Sequence, residues 1–438
     1  MNFINRYKSL NSKLFDNSIA FFSTFFIQFA IQIIYPPLMI MIWGANNFGI
    51  ILFFIAVPTS LSFLIINFTT PARQDMAKAH LKKDYDGVNK IYTNTVILLS
   101  ISYLVYFLAS LFFLKFSGFE QLQGSIAKDK INLILSLIFA SVLVGFFSNI
   151  FSLKISYLGV YHISRYLDLV FDLFIKISML IIGFYSKSFL NLFIIYLILN
   201  CIKTISFYFF SSKIKNIFCL IKKVDIKYIR NIFNKSFPYY FIQINEIIKT
   251  SFIILIIGIY FDFKTVAFVS TIRTMFYFFP RKFFDIISEL LQFEYIKLFT
   301  SRELEKLKKL YLRQNLLIVS LSIIYLIICY LIGLKIYDLW TNNEFTYEVK
   351  IFYFLIFDCF FFLMSNSIIS FLKSINKFFS ISIYTLISQV ILITSMYIAF
   401  LNGKDYEIFF IISFILSFVV FCISIIYFKK SLDFMRSK

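Results

Sequence analysis

Cysteine, histidine, glycine and charge are all scarce in this 438-residue chain. The five cysteines (Cys201, Cys219, Cys329, Cys359 and Cys422) are odd in number and show no CxxC spacing. That argues against a disulfide framework and against a thiolate metal site. Four of them lie in apolar segments and Cys219 lies in a basic loop. The two histidines, His80 and His162, each sit near a loop, so no histidine metal cluster is expected. No glycine-rich phosphate loop and no paired histidines occur, and the longest loop on the charge-poor side covers only residues 117–130. A membrane-embedded polymerase or glycosyltransferase needs a larger extramembrane segment to carry its chemistry, so an enzyme is not expected, and neither is a cofactor.

Charge is just as thin. Charged residues make up 15% of the chain, against 60% hydrophobic and 21% aromatic, and the mean hydropathy is +0.83. So little polar surface cannot cover a soluble domain, which leaves a polytopic, all-α integral membrane protein. The N-terminal basic residues Arg6, Lys8 and Lys13 precede an apolar run longer than a signal-peptide core and without an A-x-A-like exit. A cleavable signal is therefore not expected.

A helix needs about 20 residues to cross a hydrocarbon core of about 30 Å. Twelve runs qualify: 18–42, 48–70, 92–116, 131–153, 166–185, 189–210, 238–260, 264–292, 312–334, 350–372, 378–400 and 407–428. The termini and the even-numbered loops hold 29 Lys and Arg, counting Arg313 at the edge of span 9. The odd-numbered loops hold 5, with Lys115, Lys335 and Lys350 at span edges on that poor side. This bias predicts cytoplasmic termini and accounts for most of the +20 net charge. Contact with anionic membrane lipids is the partner it implies; basic residues divided among short loops do not make a nucleic-acid surface.

The six prolines fall in or beside spans 1, 2, 7 and 8, the first two helices of each half if the chain divides six plus six. The segments PARQDMAKAHLKKDYDGVNK and EYIKLFTSRELEKLKKLYLRQN follow spans 2 and 8, with apolar residues at helical spacing between Lys and Arg. Both read as helices lying on the membrane surface. Residues 1–215 and 216–438 are thus expected to form two related six-helix bundles, with bent helices flanking a central cavity.

This layout resembles the Wzx-type polysaccharide flippases of the MATE-like (MOP) superfamily. The segments most similar to that family are KYIRNIFNKSFPYYFIQINEIIKTSFIILIIGIYF and KIYDLWTNNEFTYEVKIFYFLIFD. The resemblance implies a MATE-like fold, alternating access, and an undecaprenyl-diphosphate-linked oligosaccharide as cargo in a bacterial inner membrane. It also implies a place beside the glycan polymerase and other assembly proteins. The peptidoglycan-precursor relatives usually have fourteen spans, which argues against that branch.

Charges inside spans are expensive and mark function by default. Six basic residues lie there: Lys176, Lys203, Lys249, Arg273, Arg281 and Lys282. Arg281, Asp285 and Glu289 follow an i, i+4, i+8 stripe, and Asp168, Asp172 and Lys176 form a similar one. Glu246 lies three residues before Lys249 and is placed to neutralise it, whereas Lys203 has no acid within four positions. Arg273 has no acid on its own helix closer than Asp262. Arg273 is therefore the first candidate for contact with a diphosphate, followed by Arg281 and Lys249, then Lys176 and Lys203. Gln28, Gln32 and Gln243 are candidates for bonds to sugar hydroxyls, or for joining helices. Asp358 in span 10 is the candidate for a coupling proton or sodium ion, and it keeps open a rival reading, a multidrug or cation antiporter of the same fold.

Overall fold

A computed structural model describes residues 10–116, 128–156, 161–214, 224–375 and 378–436. They form thirteen helices. The first seven are α1 (Leu10–Trp43), α2 (Ala45–Leu61), α3 (Thr69–Leu81), α4 (Tyr85–Phe116), α5 (Lys128–Ser156), α6 (Tyr161–Tyr185) and α7 (Phe189–Ser212). Then come α8 (Ile226–Tyr260), α9 (263–300), α10 (Leu304–Trp340), α11 (Val349–Ser374), α12 (Phe379–Leu401) and α13 (Glu407–Arg436). Helices dominate because lipid offers no partner to a backbone N–H or C=O, so each must be satisfied within its own segment.

Ten of these helices are long and apolar enough to cross a membrane. The two other long ones, α6 and α9, each carry several of the intramembrane charges. Each of the twelve expected spans falls on one long helix, with one correction. The run 48–70 does not stay helical: after one 3₁₀ turn at Ser62–Leu64 the chain opens, and α3 starts at Thr69. Asn67 causes the break locally, since its side-chain oxygen accepts from Thr69 Oγ1 at 2.7 Å and Thr70 N at 3.4 Å. The carbonyls freed there are capped by α8: Tyr240 donates to Phe63 O (2.7 Å) and Gln243 Nε2 to Ile65 O (2.9 Å).

The two basic segments also differ from expectation. Ala72 and Met76, on the apolar face of α3, are fully buried, so that face packs on protein rather than on lipid. The second segment is no separate surface helix. There α9 runs on to Thr300, turns at Ser301–Glu303 with Arg302 at a φ of 60°, and re-enters as α10.

The chain folds as two compact units, Met1–Gly44 with Ile50–Gln243, and Ala45–Gly49 with Ile244–Lys438. In the first, α5 packs on α7 and α1 on α6. In the second, α11 is the central helix: fifteen of its 26 residues are buried, and α9, α10 and α13 pack on it.

Three π turns interrupt helices of the second unit, Ile248–Phe252 in α8, Thr274–Phe278 in α9 and Cys329–Gly333 in α10. Such turns widen the helix locally and cluster at functional positions. The one in α9 precedes Pro280, whose ring nitrogen has no hydrogen to give Phe276 O. Tyr325 from α10 supplies that bond instead, donating to Phe276 O at 2.6 Å.

Candidate functional site

The second unit gathers its charges around the π turns of α8 and α9. Lys249 lies on the first turn and is 8% exposed. Its ammonium donates to Tyr277 Oη at 2.8 Å and lies 4.2 Å from the centre of the Phe362 ring. Arg273 directly precedes the second turn and is 3% exposed. Its guanidinium donates to the backbone carbonyl of Lys249 and packs between Phe278 and Phe409, 5.0 and 5.3 Å from the ring centres. Neither cation forms an ion pair with a carboxylate among the described residues. Both are held by aromatic faces and single neutral acceptors, which attract a cation without cancelling its charge.

Arg281, two turns along α9, is the opposite case. It holds Glu246 of α8 through two parallel hydrogen bonds of 2.7 and 2.6 Å, and its Nε lies 3.5 Å from Asp285. Asp285 also accepts from Asn366 of α11 at 2.6 Å. The expected Arg281–Asp285 step of the ladder is present, while the side chain of Glu289 lies outside the described residues. Glu246, expected to neutralise Lys249, is turned to Arg281 instead, because the bidentate geometry of a guanidinium offers it two charge-assisted bonds.

Asp358 of α11 is 4% exposed and accepts from the hydroxyls of Ser413 (2.6 Å) and Ser417, one helical turn apart on α13. A buried carboxylate satisfied by two hydroxyls keeps its charge local and leaves further lone pairs for a cation or a proton. Among the described residues no group of three or more His, Cys, Asp and Glu is placed to hold a metal ion.

The remaining sequence candidates lie in the first unit. Lys176 pairs with Asp172 at 3.0 Å. Lys203 pairs with Asp168 at 2.6 Å, an acid on the neighbouring helix that no search within four positions finds. Gln243 caps the Ile65 carbonyl, the helix-joining role of the two weighed for it. Gln28 and Gln32 are half-buried on α1.

Sequence reasoning missed Tyr277 as the partner of Lys249, and missed Ser413, Ser417 and Asn366. Two signals were available: Tyr277 lies at i+4 from Arg273, and Ser413 and Ser417 are also four apart, on one face of α13.

No family model matches the sequence, and no curated protein does. Solved structures match the fold over nearly the whole chain. A MOP-superfamily transporter from Pyrococcus furiosus, described as having a binding pocket of reverse polarity that suggests a different function, is 10% identical. It covers 97% of this chain and 96% of its own, with a TM-score of 0.58. A mutant of the Vibrio cholerae MATE transporter VcmN is 12% identical, with coverage of 98% and 97% and a TM-score of 0.56. The inward-facing conformation of a multidrug resistance MATE family transporter is 12% identical, with coverage of 95% and 96% and a TM-score of 0.55. The chain therefore has the MATE-like transporter fold and is a multi-pass membrane protein.

Proposed function

We propose that this protein is a membrane transporter that carries an undecaprenyl-diphosphate-linked oligosaccharide from the cytoplasmic to the outer leaflet by alternating access. The observation that carries this reading is the pair Lys249 and Arg273, two buried cations, one on the π turn of α8 and one just before that of α9, without an ion-paired carboxylate among the described residues. A diphosphate must cross the hydrocarbon region with its charge balanced, and cations without a hydrogen-bonded carboxylate serve that need. In the conformation described the pair is closed over by Phe278, Phe362 and Phe409, so cargo binding requires these rings to part. Arg281 contributes less, because Glu246 and Asp285 already balance it. The excess of Lys and Arg at the termini and even-numbered loops supports cytoplasmic ends in a bacterial inner membrane. The membrane-embedded glycan polymerase of the same assembly line is the partner this reading implies.

The test is expression beside candidate glycan pathways in a strain lacking its own flippase. Surface glycan that depends on this chain supports the reading.

One observation favours a second reading, a multidrug or cation antiporter. Asp358 is a buried carboxylate held by neutral hydroxyls, and two structures of similar fold are described as of a multidrug resistance transporter. Drug resistance conferred in a sensitive strain, lost with Asp358→Asn and unaccompanied by glycan export, would replace the first reading with this one.

A further inference from the structure

We propose that the first unit carries a separate, charge-balanced polar face on α1, α6 and α7 that receives the uncharged, hydroxyl-rich part of the cargo. This rests on the reading of the cargo as a lipid-linked sugar, and it assigns the sugar to a different place from the diphosphate.

The face is bracketed by two contacts between parallel helices. At one end Ser23 Oγ lies 3.2 Å from Tyr166 Oη; at the other Tyr35 donates to Met179 Sδ at 3.0 Å. Between them α1 presents Gln28 and Gln32, and α6 presents Asp168, Asp172 and Lys176, all at spacings of three or four residues. Lys176 lies 5.8 Å from the centre of the Tyr35 ring, and Lys203 of α7 reaches Asp168, so the two stripes and α7 meet.

Two features distinguish this face from a buried structural network. First, the carboxylates are open: the side chains of Asp168 and Asp172 are 47% and 41% exposed. Asp172 is the twelfth residue of the 25 in α6, at the middle of a membrane-length helix. A carboxylate exposed there faces water, because lipid would make it prohibitively costly. Secondly, the lipid side of α6 lies elsewhere. The exposed apolar residues Val170, Phe174, Ile177 and Ile181 are turned roughly 140–200° from Asp172, at about 100° per residue. On α1 the exposed Phe26, Ile34 and Met41 are likewise turned away from Gln28 and Gln32.

The donor and acceptor set defines the ligand. Two Asp and two Lys leave no net charge to select an anion or a cation. Each Asp gives one oxygen to its Lys and keeps the other, Asp168 Oδ2 and Asp172 Oδ1, as an acceptor. The Gln32 carbonyl oxygen is buried without a partner. Two open carboxylate oxygens on a neutral, hydrated stripe, with an unpartnered amide oxygen beneath it, suit the hydroxyl donors of a sugar ring. This also reassigns Lys176 and Lys203: they position carboxylates and do not bind phosphate.

The test measures binding by purified full-length protein of two probes, a polyprenyl diphosphate and the same lipid bearing an N-acetylhexosamine. Wild type is expected to prefer the sugar-bearing probe. Asp172→Asn and Gln32→Leu should each remove about tenfold of affinity for it, leaving the sugar-free probe within about twofold. Arg273→Gln should weaken both. The double variant Asp172→Lys with Lys176→Asp keeps an ion pair but moves the carboxylate; it should fold as wild type does without regaining the preference. Equal binding of both probes by wild type overturns the inference, as does full restoration by the swapped pair, which marks the ion pair as structural. Failure to bind either probe removes the lipid-linked cargo itself and this inference with it.

Discussion

Arg281 and Glu246 are joined across α9 and α8 by two parallel hydrogen bonds of 2.7 and 2.6 Å. The pair takes from Lys249 the acid nearest to it in sequence, and so leaves Lys249 to Tyr277 and the Phe362 ring. One side chain thus decides which of the two cations has a carboxylate hydrogen-bonded to it and which does not.

Glu246→Gln should lower stability on the order of 3 kcal/mol, because it strips a partly buried arginine of its bidentate partner. Asp285 remains within reach of Arg281, so the loss should be smaller than that of Arg281→Ala, which leaves two acids uncompensated. Thermal unfolding of the solubilised protein gives the order; equal losses would mean that Asp285 contributes nothing.

Tyr277→Phe removes the side-chain oxygen to which Lys249 donates and keeps the ring. A hydrogen bond to a charged group is worth about 1.5–3 kcal/mol, so a drop of that size is expected. The freed Lys249 side chain, reacting through its unprotonated amine, should also be acylated faster by an amine-directed reagent. Unchanged labelling of Lys249 would place its restraint in the ring contacts alone.

Asp225, just before α8, accepts from Lys90 at 2.5 Å and from the backbone N–H groups of Lys227 and Tyr228. The hydrogen bond from Lys90 is the largest cause holding its carboxyl below the usual range, followed among the lowering causes by the two backbone bonds. A depressed folded-state value means the stabilisation is full above the unfolded value, about 3.9, and is lost as pH falls through the folded one. Cleavage near Asp225 by an acid-active protease should therefore rise below about pH 4, and should do so at higher pH in Lys90→Ala. A pH-independent cleavage rate would remove this tether from the account.

Cysteine labelling in intact cells should leave 71–91, 211–236 and 293–311 unreactive to an impermeant reagent, as cytoplasmic loops. Modification of any of them from outside would invert the orientation.

The span pattern was legible because length and apolarity act locally: a helix must be long enough for the bilayer whatever its neighbours. Same-helix pairs were legible for the same reason, and Lys176–Asp172 and Arg281–Asp285 follow from i, i+4 spacing. Partners on other helices were not. Asp168 for Lys203, Glu246 for Arg281 and Tyr277 for Lys249 depend on how helices pack, which spacing does not encode. The break after α2 was hidden because residues 65–68 are as apolar as the span before them. Only the capping by Tyr240 and Gln243 shows how the open backbone is tolerated.

The most direct measurement of the central claim is glycan export by Arg273→Gln, read as surface glycan against protein level in the membrane. Glutamine suits the test better than alanine, because Arg273 is 3% exposed between two rings and alanine would add a cavity to the loss of charge. The account predicts that Arg273→Gln reaches the membrane at near wild-type level and exports no glycan, while Arg273→Lys keeps part of the activity because charge survives without the bidentate geometry. Wild-type export from Arg273→Gln at equal protein level would contradict it.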